Sequence, residues 1–230
     1  MDPNQSLHIY EEVFLLALRD KEGTLFNTVN YRHALAGAII AELILKEIAV
    51  VENVRKSNYL KLKNSRPTGD EILDECIQKI AGTSRRAQIK TWVQRFSQLR
   101  RMKTRVAQQL CRKRILKEDE NNILFIFKQK IYPEVDPRPE KRILDRMEKT
   151  ILGGTGNVES ETIILISICN STGLLNKLFD RKRLKGRKGR IKQLLNGELI
   201  GKATKEAIEA IQVAVMVAVI IPAVTANAAH

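Results

Sequence analysis

The chain has 230 residues, of which 43% are hydrophobic, and 40 Lys and Arg stand against 26 Asp and Glu for a formal net charge of +14. It is long enough to bury a large core, and its charge points to an anionic partner: nucleic acid, an acidic membrane face or an acidic protein. A 5% aromatic content with one Trp argues against a stacking platform for single strands, and three widely spaced cysteines (Cys76, Cys111, Cys169) suit reduced thiols, not a disulfide framework.

The opening MDPNQSLHIYEE has neither a basic n-region nor an apolar h-region, so no signal peptide is expected. Residues 7–18 read as a first helix with Glu11 and Glu12 outward, ending at a turn on Gly23. The stretch that organises the chain is 34–47, ALAGAIIAELILKE. It is built of strong helix formers and is apolar nearly all round, which predicts a buried central helix. It is too short to span lipid, which takes about 20 apolar residues.

Residues 48–51 and 59–62 read as the strands of a hairpin. Pro67-Thr68-Gly69-Asp70-Glu71 starts a helix, with Thr68 and Glu71 at capping-box spacing and Asp70 as a second candidate cap. Its acids Asp70, Glu71, Asp74 and Glu75 suit the helix dipole and carry no catalytic signal. Residues 87–96 and 98–114 read as helices; Leu99, Met102, Val106 and Leu110 form one buried stripe in the second. Short strands at 115–116 and 123–127 flank a turn at 117–122, so helix–hairpin occurs twice. The echo of LILKEI (43–48) in LCRKRI (110–115) hints at an internal repeat.

Further helices are expected at 140–152, from 162 through 179, at 191–195 and at 203–221, with a tight turn at 153–157 that lacks the ending of a phosphate loop. Residues 181–192, RKRLKGRKGRIK, read as a solvated basic loop. The apolar run 211–224 is interrupted by Gln212 and Pro222 and reads as a buried helix, not an anchor. The predicted fold class is mainly α: one globular helical domain over 7–224 around a buried central helix, with short β-hairpins, between tails 1–6 and 225–230.

The charge is uneven. Between Cys76 and Lys117 there is no Asp or Glu but there are thirteen Lys or Arg, and 181–192 adds eight more. On helix 98–114, Arg100 and Lys103 are three apart and Arg101 and Arg105 four apart, a spacing that lets each pair share an exposed face. Guanidinium forks and lysine point charges at such spacing suit one phosphate group. The only histidines are His8, His33 and His230. No nucleophile–base order, Cys-x-x-Cys pair or metal-binding helix motif accompanies them, so neither catalysis nor a cofactor or metal is expected.

The sequence resembles the Golgi phosphoprotein 3 family. The likeness is carried by Glu11-Glu12-Val13-Phe14-Leu15-Leu16-Ala17-Leu18 with Asp20, Glu22 and Gly23, by Leu35-Ala36-Gly37 through Glu42-Leu43 and Leu45, and by Pro67-Thr68-Gly69-Asp70 with Leu73-Asp74-Glu75. Leu99-Arg100, Lys103, Arg105 and Leu110 before ILFIF continue it, and it runs from about Ser6 to Pro222. The resemblance implies a mostly helical, non-enzymatic peripheral membrane protein that binds phosphatidylinositol 4-phosphate, on the cytoplasmic face of the Golgi if eukaryotic. It also implies an adaptor role for the cytoplasmic tails of membrane proteins.

In better-known members the headgroup pocket uses a Trp and three Arg. One of two close arginines falls on Arg100, which matches, and the second on Lys103, which keeps the charge without the fork. The third falls on Ala36 and the Trp on Asn27, with Arg32 as a neighbour able to compensate. Only about six residues precede the first helix, so the coatomer-recruiting tail of eukaryotic members is not expected. A short, divergent or bacterial-type member fits that length.

Arg100 and Lys103 are therefore the candidate headgroup contacts, with Arg101, Arg105, Arg32 and Asn27 in support, and an oligomer remains open. The alternative is a winged-helix-like nucleic-acid binder using basic helix 98–114.

Overall fold

The computed structural model describes residues 6–19, 22–26, 30–55, 57–123, 127–153, 158–196 and 204–209. The fold is mainly α, with only small antiparallel sheets of two or three strands. One apolar core cluster runs from Ile9 to Ile208.

At its centre lies α2 (Tyr31–Leu45), whose residues from His33 to Ile44 are all buried. It packs along α1 (Ile9–Leu16) and α4 (Ile89–Ser97). Helix α4 shows why: Ile89, Trp92, Val93 and Phe96 recur at three and four and are buried, while Lys90 and Arg95 face out. Each such large apolar side chain contributes about 1.5–3 kcal/mol on burial.

Every residue of α1 is buried, Glu11 and Glu12 included. The outward placement expected for these two acids is therefore wrong. Each neutralises a cation carried by a distant element: Glu11 pairs with Lys113 at 2.5 Å and Glu12 pairs with Arg146. Neutralisation is what allows a carboxylate inside a core. The backbone N–H of Ile9 donates to Glu42 Oε2 at 2.9 Å, and the Tyr10 hydroxyl donates to Asp70 at 2.7 Å and lies 2.9 Å from Gln109 Oε1. The imidazole of His8 closes this polar knot, 2.5 Å from Glu42 through Nδ1.

Gly23 closes no helix. It sits with φ +59° in a small hairpin of β1 (Leu18–Arg19) and β2 (Thr24–Leu25). A Cβ there would lie 2.5 Å from the Pro133 nitrogen, and Gly23 accepts a 2.9 Å hydrogen bond from Tyr132 N–H. Both the left-handed φ and the close approach require glycine.

The first predicted hairpin is longer than expected: β3 (Ala49–Val54) pairs with β4 (Ser57–Leu62), and a short β5 (Ala87–Gln88) adds to β4. Helix α3 (Glu71–Ala81) is capped by Asp70, which accepts from Ile72 N–H and Leu73 N–H. Thr68 does not cap; its hydroxyl and backbone N–H donate to Asp74. Helix α5 (Met102–Arg112) buries Met102, Val106 and Leu110 as the periodicity demands.

The second hairpin is shifted from its predicted place. Strand β6 (Asp119–Ile123) covers much of the expected turn and pairs with β7 (Phe127–Ile131), and Leu116 makes only an isolated bridge to Glu134. Lys130, paired with Glu118, and Lys117, paired with Asp119 at 3.1 Å, supply charge neutralisation for this acidic strand. Most of 123–127, ILFIF, lies outside the described residues.

The echo of 43–48 in 110–115 falls on two helix ends of the same backbone form. After α2, Glu47 N–H bonds to Ile44 C=O and Ile48 N–H to Leu43 C=O, with Glu47 at φ 54°. After α5, Arg114 N–H bonds to Cys111 C=O and Ile115 N–H to Leu110 C=O, with Arg114 at φ 59°. Both are Schellman ends with a left-handed residue, each followed by a buried isoleucine, Ile48 and Ile115.

Helix α7 (Ser160–Ser171) packs on both α1 and α2, and α6 (Arg138–Leu152) packs on α7 and α1. The expected single helix through 179 is two, α7 and the short α8 (Leu175–Leu178), separated at Gly173, φ +75°. The basic stretch 181–192 is no loop: it forms α9 (Arg181–Lys185) and runs into α10 (Lys188–Leu195). Leu184, Ile191 and Leu194 are buried at helical spacing and anchor it. Residues 204–209 are helical. The rest of the helix expected to 221, the run 211–224, most of the 153–157 turn and the C-terminal tail lie outside the described residues. Among the described residues no helix is long and apolar enough to cross a membrane.

Candidate anion-binding site

The helix expected over 98–114 breaks at its start. Leu99 is buried, Arg100 and Arg101 lie in the turn from α4 to α5, and Arg101 adopts a left-handed conformation, φ 54° and ψ 30°, as N-cap of α5. Arg100 and Lys103 therefore do not share a helix face: Arg100 precedes the helix and Lys103 stands in its first turn. The turn nonetheless collects three cations within four residues. Arg100 and Arg101 are exposed and Lys103 is half-buried.

No hydrogen bond or ion pair of the described residues uses the side chain of Arg100, Arg101 or Lys103. An arginine N-cap offers no acceptor, so the first-turn amides of α5 have no side-chain cap. Uncapped amides and the positive end of the helix dipole add to the field of the three cations.

Arg105 is different. It is 19% exposed at the side chain, and it pairs with Glu75 and, at 3.5 Å, with Glu71. Of the other cations in the acid-free segment, Lys79 pairs with Glu75 at 3.6 Å, Lys113 with Glu11 and Lys117 with Asp119. The Arg86 guanidinium sits 4.8 Å over the Tyr59 ring and that of Arg95 4.7 Å over Trp92. An acid-free stretch of sequence is thus not acid-free in space. What sequence reasoning missed is this division of labour, and its signal was present: Glu11, Glu71 and Glu75 all fall on helices that must pack against something.

Arg32 is exposed at the N-terminal end of α2, with its Nε donating to the Tyr31 hydroxyl at 3.4 Å. Ala36 lies one turn on and is fully buried. Its neighbour His33 contacts Asn30 at 2.9 Å and Gln94 of α4 at 3.5 Å, so the start of α2 faces the helix that leads into Arg100. Asn27 lies outside the described residues.

A cavity of about 710 Å³ near α1 and α6 is lined by both signs of charge, the four acids Glu12, Glu42, Glu159 and Glu161 with the three cations Lys46, Arg142 and Arg146. Among the described residues no group of three or more His, Cys, Asp or Glu could hold a metal ion.

Fold and turn together define a class: a mainly α-helical protein around a buried central helix, with a surface cluster of cations that has no ion-pair partner among the described residues. The sequence model described as Golgi phosphoprotein 3 (GPP34) matches residues 9–211. The chain belongs to the Golgi phosphoprotein 3 family. Vacuolar protein sorting-associated protein 74 from Eremothecium gossypii is 30% identical over 161 residues, covering 62% of this chain and 48% of that protein. The match therefore spans about half the length of that relative.

Proposed function

We propose that the chain is a peripheral membrane protein that binds anionic phosphoinositide headgroups, phosphatidylinositol 4-phosphate by family resemblance, and serves as an adaptor in membrane-protein sorting. Arg100 and Lys103 contact the phosphate, Arg101 adds field at the same turn, and Arg32 lends a further cation from α2. The observation that carries this reading is that Arg100, Arg101 and Lys103 have no side-chain partner among the described residues and stand beside uncapped amides. Each cation near an anionic surface is worth about 1 kcal/mol, so three give on the order of a hundredfold in affinity. A phosphomonoester loses its second proton near pH ~6, so binding strengthens as pH rises through that value.

The winged-helix alternative has less support. Helix α5 and the β6–β7 hairpin do follow one another, but the helix commits Arg105 to an internal ion pair and its neighbour Lys113 to another.

Liposome co-sedimentation tests the reading. The full chain meets vesicles with phosphatidylinositol 4-phosphate and charge-matched phosphatidylserine vesicles, each with and without the Arg100→Ala/Lys103→Ala double variant. Retention on the first vesicles alone, lost in the variant, is the expected result. Equal retention on both means a diffuse electrostatic binder, and no retention on either sinks the membrane reading.

A further inference from the structure

The second basic concentration is built into a groove that the headgroup reading does not use. Helices α9 and α10, with α8 beside them, line a cleft of about 710 Å³. Its rim carries Arg181 and Lys185 from α9 and Lys188 and Lys192 from α10, all exposed. None of these four makes an ion pair or side-chain hydrogen bond among the described residues. The neighbouring Arg183, by contrast, pairs with Glu148 at 2.6 Å. No described carboxylate lines the cleft, and its floor is aliphatic: Leu175, Leu184, Ile191 and Leu195.

Two features define what fits. The rim cations come as two pairs, each four residues apart on its own helix. Like charges at that spacing are unfavourable on an isolated helix, and an anion between them reverses the sign. The same four-residue spacing of carboxylates on a second helix matches them. The aliphatic floor asks for an apolar stripe on the same ligand, and the absence of any aromatic lining offers nothing for bases to stack on. We propose that this groove docks an acidic amphipathic helix, with Leu or Ile along one face and flanking Glu or Asp, in the helix-in-groove mode. The site shares no residue with the α4–α5 turn, so it stands or falls separately from the membrane reading.

The test uses the full chain and a fluorescein-labelled synthetic helix carrying a Leu stripe flanked by Glu at four-residue spacing, followed by anisotropy. Two control peptides replace Glu by Lys, or Leu by Ser. The variant is Arg181→Glu/Lys188→Glu. Both positions are the first residues of their helices, where an acid is favourable to the dipole, so the change leaves the fold intact, and circular dichroism checks this.

The acidic Leu peptide is expected to bind the unaltered chain, with the Lys peptide failing and the Ser peptide weakened on the order of tenfold. The variant is expected to lose on the order of tenfold or more for the acidic Leu peptide while keeping its retention on phosphatidylinositol 4-phosphate vesicles. No binding by the unaltered chain overturns the proposal. So does equal affinity for the Ser peptide, which would mean a diffuse field without use of the floor. Unchanged binding in the variant overturns it too, as does a variant that loses vesicle retention in step with the peptide, since the groove would then be a general phosphate surface.

Discussion

Glu47 and Arg114 hold the same left-handed backbone, φ 54° and 59°, at the ends of α2 and α5, one in each helix–hairpin unit. Each is the residue that glycine usually occupies in a Schellman end. A side chain there costs about 1 kcal/mol. Arg114 is exposed and makes no ion pair among the described residues, so Arg114→Gly is expected to stabilise the protein by about 1 kcal/mol, raising Tm by roughly 2–4 °C. Glu47→Gly should gain less, because it also removes the 3.2 Å pair with Lys63. Thermal melts of both variants decide it: a loss of stability in Arg114→Gly would contradict the strain argument.

Lys103 and Arg105 stand two residues apart and should separate cleanly. Arg105→Ala strips Glu75 and Glu71 of a largely buried partner and exposes the packing under its stem, costing about 1–2 kcal/mol in urea unfolding. Lys103→Ala should change stability by less than about 0.5 kcal/mol and weaken vesicle retention instead. Arg101→Gly is the sharpest of the set, since glycine keeps the left-handed turn while deleting the charge. It should hold or raise Tm and still lose retention.

Stability should peak at mildly acidic pH. Burial pushes the Glu12 carboxyl up to about 7 against the pull of Arg146. A group raised on folding contributes stability that is full below its unfolded value and lost as pH climbs through its folded one. Burial alone would lower His8, but its hydrogen bond to Glu42 and the charges of Glu42, Asp70 and Glu11 outweigh this and raise it, so it acts with the same sign. His33, lowered by burial and by Arg32 despite its contact with Gln94, opposes them weakly. Burial would raise Asp74, yet hydrogen bonds from Thr68 and Gly69 hold it below the usual carboxylate range, and its contribution is lost only in stronger acid. Urea midpoints are thus expected to fall from about pH 5 to about pH 8. Glu12→Gln should flatten that slope; a midpoint that rises over the same range would refute the assignment.

The thiols should differ in reach. Cys76 and Cys169 are fully buried and Cys111 is half-buried. Burial raises all three thiols, and Glu118 adds to it at Cys111. Native protein treated with a maleimide should take up label slowly at Cys111 alone, with Cys76 and Cys169 reacting only after unfolding. Mass spectrometry of the labelled peptides reads this directly.

Much of the fold was legible because its signals are local. The all-round apolar character of 34–47 placed the central helix, periodicity placed the buried stripe of α5, and the echo of 43–48 in 110–115 marked a shared helix end. The misreadings share a cause too. Glu11 and Glu12 looked like surface acids because their partners, Lys113 and Arg146, lie far along the chain. Arg105 looked free for the same reason. The basic run 181–192 looked like a loop because eight cations and two glycines mask the buried spacing of Leu184, Ile191 and Leu194. Arg101 carried no sign of its left-handed turn, since nothing in side-chain type demands it.

The ion pairs of α1 have a consequence for the order of assembly. A ribosome releases Glu11 and Glu12 long before Lys113 and Arg146, so these two carboxylates stay without those partners through most of translation. The native arrangement closes only when the α6 segment has emerged, which makes folding of this chain a late, nearly whole-length event and not a progressive one. The nascent helix is therefore exposed to wrong contacts while its partners are still being made. Moving it to the C-terminus by circular permutation is expected to raise the soluble yield without altering the finished fold.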